Sequence, residues 1–151
     1  EFKKADLDFK HGVRISTDFA PEASILGNPK DLVTIIDCLL DNAQEAMTSQ
    51  EEKCITLKTA AGQHTVKLTI EDNGSGLPFC SPCRHNSECL SCPEFHIGRT
   101  TKEKGSGLGI TLVRNSIAKL NGDLRIESGP GRGTAVQIWF PRNRKHAKAA
   151  G

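Results

Sequence analysis

Leu39-Leu40-Asp41-Asn42-Ala43-Gln44-Glu45-Ala46 is the stretch from which the rest of the chain can be placed. Its apolar members continue a series, Leu32, Ile35, Ile36, Leu39, Leu40, Ala43 and Met47, that repeats at helical spacing. Asn28 stands as an N-cap and Pro29 at the first helical position, so an amphipathic helix is expected from there to near Met47. Asn42 follows two leucines and falls at the edge of the buried face. An amide there either reaches a ligand or metal ion or is simply solvated.

Strand patterns flank this helix on both sides. Val13 to Phe19 alternates apolar and polar residues and stops before Pro21, and Ile25-Leu26-Gly27 reads as a short second strand. After the helix, Cys54 to Thr59 and Thr65 to Ile70 alternate with period two around the turn-like Ala60 to His64, which predicts a hairpin. A second helix is expected to open at Gly105-Ser106-Gly107-Leu108-Gly109 and run through Leu120, with Ile110, Leu112, Val113, Ile117 and Leu120 on its buried side and Asn121-Gly122 ending it. Asp123 to Ser128 and Thr134 to Phe140 are two further strands about the turn Gly129 to Gly133. The order is two short strands, helix, hairpin, a long irregular stretch, helix, hairpin. An α+β fold in two layers accommodates it: an antiparallel sheet with its helices on one face.

A chain of 151 residues suits one compact domain and buries a core without disulfides. A net charge of +2, with the basic residues scattered, argues against a nucleic-acid partner. No apolar run is long enough to cross a bilayer and no signal peptide is visible. The expected location is therefore the cytoplasm, with any membrane anchor lying upstream. Three parts are expected: an N-terminal leader over 1–12, whose Glu1-Phe2 reads as a cloning scar, a domain over 13–141, and a basic disordered tail over 142–151. The long irregular stretch, 77–104, is of a length that is usually functional or disordered inside a compact domain.

Three segments carry the chemistry, each weak alone. The first is Asn42 in its helix. The second is Asp72-Asn73-Gly74-Ser75-Gly76, where a carboxylate at a strand end can accept from an exocyclic amine and the glycines let backbone pass close to a flat ring, or simply form a tight turn. The third is Gly105 to Gly109, which puts free backbone N–H groups at a helix N-terminus suited to phosphate. No βαβ unit surrounds these glycines, so the dinucleotide fold does not fit.

Taken in order, the three resemble the motifs of the GHKL ATPase/kinase superfamily, and within it the catalytic domain of sensor histidine kinases. Leu39 to Ala46 looks like the N box, Asp72 to Gly76 like the first glycine box, and Gly105 to Gly109 like the second. Phe95 to Lys102 resembles the phenylalanine-containing lid motif that ends in Thr-Thr-Lys, and Gly133-Thr134 resembles the Gly-Thr element of the last strand. The resemblance runs from about Val13 to Pro141. It implies a Bergerat fold, a mixed, mostly antiparallel sheet with helices on one face and a long ATP lid. It implies ATP and Mg²⁺ as ligands, with Asn42 holding Mg²⁺, Asp72 reading the adenine amine within Asp72-x-Gly74-x-Gly76, and Thr134 supporting Asp72. Lys102, Gly105, Gly107, Leu108 and Gly109 would line the phosphates. The implied partners are a histidine-bearing dimerisation domain of the same protein, which would be a homodimer, and a response regulator. His11, His64, His85, His96 and His146 lie in strand leads, loops or the tail, so the chain alone is expected to bind nucleotide without phosphorylating itself.

Two features depart from the pattern. ATPases of the superfamily carry a water-activating glutamate four residues before the asparagine, where this chain has Cys38, a poor general base in an apolar face. Many histidine kinases have asparagine there and a basic residue three positions after the N-box asparagine, where this chain has Glu45. The Asn-Ala-x-Glu-Ala form looks more like the nitrogen-regulation and dicarboxylate-sensor branches. The second departure lies in the lid, where Cys80-Ser81-Pro82-Cys83, five residues, then Cys89-Leu90-Ser91-Cys92 form two C-x-x-C pairs. Four thiolates so spaced suit one tetrahedral Zn²⁺, with an iron–sulfur cluster, free thiols or two local disulfides as the other readings. His85 and His96 read as surface residues able to substitute as ligands. Two further functions stay open: a nucleotide-binding sensor of metal or redox state, and an anti-sigma-type serine kinase of the same fold.

Overall fold

Helix α1 spans Pro29–Ala46 and starts where its cap chemistry dictates. Asn28 is extended, its side chain accepts from the Lys30 N–H at 3.0 Å, and Pro29 occupies the first turn, where no backbone donor is needed. Ile35, Leu39, Ala43 and Met47 form its buried stripe. A computed structural model of the chain describes residues 7–9, 12–76, 108–128 and 131–144. The cysteine-rich segment, Lys102, Gly105 and Gly107 lie outside these described residues.

The strands are β1 (Leu7–Phe9), β2 (Val13–Asp18), β3 (Lys53–Ala61), β4 (Thr65–Asp72), β5 (Asp123–Ser128) and β6 (Thr134–Pro141), and the second helix is α2 (Leu108–Lys119). They form one sheet in the order β1-β2-β3-β4-β6-β5. All pairs are antiparallel except β2 with β3, which run parallel because α1 is the crossover between them. The sheet is thus mixed and mostly antiparallel, with α1 and α2 packed over it in a two-layer α+β fold.

Register aligns the core in rows across the sheet. Leu57, Ile70, Val136 and Ile126 face one another across four strands, and Leu68, Ile138 and Leu124 form the next row. All seven are buried. The helices close the same core with Ile35, Leu39, Met47, Val113, Ile117 and Leu120. At its end α2 turns through Asn121, whose φ is 54°, and the Gly122 N–H caps the Ile117 carbonyl at 2.9 Å.

Four expectations need correction. Ile25-Leu26-Gly27 is no strand: Ile25 makes a single bridge to Arg142, Gly27 bends the chain with a φ of 147°, and Leu26 is exposed. Leu112 is not on the buried side of α2 but 50% exposed, because the stripe of Val113, Ile117 and Leu120 turns it outward. Part of the leader belongs to the sheet, since Leu7–Phe9 pairs with β2. The start of the tail is tied down too: the Arg142 N–H donates to the His64 carbonyl, the Asn143 N–H donates to the Ser24 carbonyl, and Asn143 is buried.

Candidate functional site

One row beyond Leu57, Ile70, Val136 and Ile126, the helix-facing side of the sheet changes character. The row there reads Ile55, Asp72, Thr134 and Ser128. Polar groups thus occupy three positions where strand parity calls for core, which marks a floor built for something other than packing.

Asp72 is the centre of that floor. Its Oδ1 accepts from the Gly74 N–H at 2.8 Å, and its carboxylate also takes the Thr134 backbone N–H. Burial pushes its pKa above the ordinary 3.8, and the two backbone N–H groups hold it back in part. The carboxylate is therefore fixed in orientation while its ionised form stands partly desolvated.

Backbone hydrogen bonds gather the flanking turns around it. The Ser75 N–H donates to the Ala46 carbonyl at 2.9 Å, which ties the glycine turn to the last turn of α1. Gly74 is pressed there so closely that a Cβ would lie 2.7 Å from the Ala46 carbonyl oxygen. The Gly131 N–H reaches the Ser75 carbonyl at 2.7 Å and so joins the β5–β6 turn to the same cluster. Gly133 has a φ of 73°, and a Cβ on it would run into the Asp72 carbonyl. Asn73 locks the end of the hairpin: its Oδ1 accepts from the Cys54 N–H at 3.0 Å and its Nδ2 donates to the Glu52 carbonyl at 2.8 Å.

Asn42 lies half-buried on α1, one turn before the Ala46 carbonyl that holds the glycine turn. Asn42, Asp72, Gly74, Gly76 and Thr134 are thus carried by elements that are bonded to one another. Leu108 and Gly109 open α2, beside α1 in the helical layer, and the hydroxyl oxygen of Thr111 in its first turn is buried without a partner among the described residues. Lys102, Gly105, Gly107, Cys80, Cys83, Cys89 and Cys92 lie outside the described residues. Among the described residues no group of three or more His, Cys, Asp or Glu side chains could hold a metal ion.

Cys38, one turn before Asn42, is half-buried, with its pKa raised above 9.0 by burial and then by the charges of Asp41 and Asp37. It stands as a neutral thiol, and three causes of the same sign keep it so.

Sequence reasoning missed Asn73 and Ser128. Asn73 carries no signal beyond its place between Asp72 and Gly74. Ser128 carries one: it continues the buried parity of Leu124 and Ile126 with a hydroxyl.

Comparison with known proteins places these features in company. The sequence family described as histidine kinase-, DNA gyrase B-, and HSP90-like ATPase matches residues 27–144. Sporulation kinase A of Bacillus subtilis is 29% identical over 133 residues, covering 87% of this chain and 20% of that protein. A probable C4-dicarboxylate sensor kinase of Halalkalibacterium halodurans is 28% identical over 117 residues, covering 76% of this chain and 20% of that protein. The chain therefore spans about a fifth of the length of these relatives. Among solved structures, the mycobacterial sensor histidine kinase MprB matches with a TM-score of 0.69 at 23% identity, covering 87% of this chain and 83% of that one, a likeness of fold.

Proposed function

The chain belongs to the histidine kinase-, DNA gyrase B-, and HSP90-like ATPase family, and from that premise we propose that it is the ATP–Mg²⁺-binding catalytic domain of a two-component sensor histidine kinase. The observation that carries this reading is the Asp72 carboxylate, oriented by the Gly74 and Thr134 N–H groups at the floor of a site walled by α1. An ionised carboxylate only accepts, and the exocyclic amine of adenine is the matching donor. Asn42, one turn before the carbonyl that anchors the glycine turn, would hold Mg²⁺ through its side-chain oxygen. Lys102, Gly105, Gly107, Leu108 and Gly109 would meet the phosphates, the last two at the start of α2, where helix polarity favours anions.

Cys38 decides between hydrolysis and transfer. A glutamate at its position would activate water; a thiol held neutral does not. The γ-phosphoryl group is therefore left for an external acceptor, a histidine on a dimerisation domain of the same protein, from which a response regulator would take it. The relatives' names, sensor and sporulation kinases, support this direction. The whole protein would act as a homodimer. No helix among the described residues is long and apolar enough to cross a membrane.

The second part of the proposal is a Zn²⁺ held by Cys80, Cys83, Cys89 and Cys92, resting on the spacing of two C-x-x-C pairs. Four thiolates fill a tetrahedral ion, which leaves no open position for water or phosphate, so the metal would order the lid and take no part in transfer.

The test is nucleotide titration by calorimetry together with a turnover assay. ADP or ATP with Mg²⁺ should bind with a Kd between about a micromolar and a millimolar, and ATP hydrolysis should stay well below roughly 1 s⁻¹. Phosphoryl transfer should appear only when a histidine-bearing dimerisation domain is supplied. Steady hydrolysis without it would move the chain to the ATPase side of the family.

A further inference from the structure

We propose that the outer edge of β5 is a pairing surface for a second copy of this chain, joined antiparallel about Ile126 with Arg125 of each copy opposite Glu127 of the other. The contact belongs to this chain alone; only its use in the whole protein rests on the homodimer reading above.

β5 ends the sheet, and among the described residues no strand pairs with its outer side. The opposite edge is blunted by β1, which has three residues. β5 has six, Asp123–Ser128, with no proline or glycine among them. Two observations fix which of its backbone groups look outward. The Asp72 carboxylate takes the Thr134 N–H, so Thr134 turns toward β4, and alternation turns Ala135, Gln137 and Trp139 toward β5. Their partners there are Glu127, Arg125 and Asp123. Leu124 and Ile126 therefore turn their N–H and C=O groups to the open edge. In agreement, the Leu124 N–H donates to the Asp123 Oδ1 at 2.8 Å.

Charged side chains on an edge strand ordinarily keep it single. Here their order selects a partner instead. The Arg125 and Glu127 side chains are 58% and 52% exposed, and they flank Ile126, which is buried in the core. Two copies paired antiparallel with Ile126 opposite Ile126 exchange two backbone hydrogen bonds at the centre. The same pairing brings Arg125 against Glu127 on both sides of it, in the closer, non-hydrogen-bonded positions. A slip of one residue sets core side chains against solvent side chains. A slip of two places Arg125 on Arg125 or Glu127 on Glu127. A slip of four in one direction pairs Asp123 with Arg125 but carries Ile126 past the strand end, onto Gly122. The register about Ile126 is thus both the longest and the one matched in charge.

Ile126 is already buried within its own chain, so pairing hides little further apolar surface and draws on hydrogen bonds and two ion pairs. The contact is therefore reversible and salt-sensitive, and it acts near the millimolar local concentration of two tethered domains. Because the strands run antiparallel, the Ser128 ends of the two copies point in opposite directions along the joined sheet.

Sedimentation equilibrium of the chain alone tests this, with ADP titrations and thermal melts of every variant beside it. Wild type should show a monomer–dimer equilibrium with a Kd of about a millimolar or less, weakening as salt is added. Glu127→Arg, which sets arginine against arginine, and Arg125→Glu, which sets glutamate against glutamate, should each raise that Kd at least about tenfold. The double swap Arg125→Glu/Glu127→Arg should restore it. The two single variants mixed in equal amounts should pair with each other although neither pairs with itself. Both positions are exposed, so every variant should fold and bind ADP as wild type does. A wild-type chain that stays monomeric at about a millimolar would leave the edge to a strand of another protein and overturn the proposal. So would single variants that dimerise as well as wild type, or a mixture of them that stays monomeric. ADP binding by such a chain would leave the nucleotide site standing, whereas a dimer that binds no ADP would overturn the nucleotide reading alone.

Discussion

Asp72 is held in a state that folding does not favour. Burial raises its pKa above 3.8 against the pull of two backbone N–H groups. For a carboxylate with a raised folded pKa, the contribution to stability is full below the unfolded pKa and is lost as pH rises through the folded value. At neutral pH the ionised side chain therefore opposes folding and is kept for what it binds. Asp72→Asn should unfold at the same temperature as wild type or higher at pH 7, with the gap closing as the pH falls below the raised pKa. Its affinity for ADP should fall at least about tenfold, because a hydrogen bond to a charged acceptor is worth roughly 1.5–3 kcal/mol. Thermal melts across pH beside ADP titrations separate the two effects; a variant both less stable and equally tight for ADP would contradict the assignment. Wild-type affinity should itself decline in acid, beginning above the pH at which an ordinary aspartate titrates.

At the scale of elements, the site exists because α1 and the turn after β4 are joined. Gly74 lies against the Ala46 carbonyl and the Ser75 N–H bonds it, so this contact, together with the core beneath α1, fixes Asn42 relative to Asp72. Gly74→Ala has to push the glycine turn off the helix end, since the obstacle is backbone. It should lower stability by about 1–3 kcal/mol and weaken ADP binding together, and a melt indistinguishable from wild type would show that the turn is not anchored in this way. The same scale explains what could be read from sequence. Asn28-Pro29 and a sustained 3.6-residue stripe placed α1 to within a residue or two, and the alternating strands β2 to β6 were as plain. β1 is too short, at three residues, to show a period, and Ile25 to Gly27 looked extended but is turned by the backbone of Gly27. Leu112 and Val113 are adjacent apolar residues, of which a helix can bury only one at the centre of its stripe. Asn42, Asp72 and the glycines were legible because backbone demands narrow the residue types allowed. Ser128 was not, because its meaning comes from register: only pairing opposite Thr134 distinguishes it from an ordinary strand serine.

For the molecule as a whole, the question is what the cysteine-rich segment contributes to folding. The described core runs from Val13 to Phe140 and already closes both layers, with buried side chains from α1, α2 and five strands. Cys80, Cys83, Cys89 and Cys92 enter the chain between β4 and α2, two elements that this core holds through Leu68, Ile70, Val113 and Ile117. A metal on those cysteines would constrain the segment it closes, and its binding energy would act within that segment. Removal of Zn²⁺ by a strong chelator should therefore release one ion per chain and make four more thiols reactive, beyond Cys38 and Cys54, which are free and half-buried. Far-UV circular dichroism should hold, and the melting temperature should move by no more than about 2–4 °C, the shift expected for roughly 1 kcal/mol in a domain of this size. ADP affinity should change, because Cys80 to Cys92 stand in sequence between Asp72 and the start of α2, both proposed above to meet the nucleotide. Cooperative unfolding on chelation would mean that the metal holds the sheet as well as the loop. Visible absorption from iron and sulfide in place of zinc would keep the four ligands and change the ion, since four thiolates serve either chemistry.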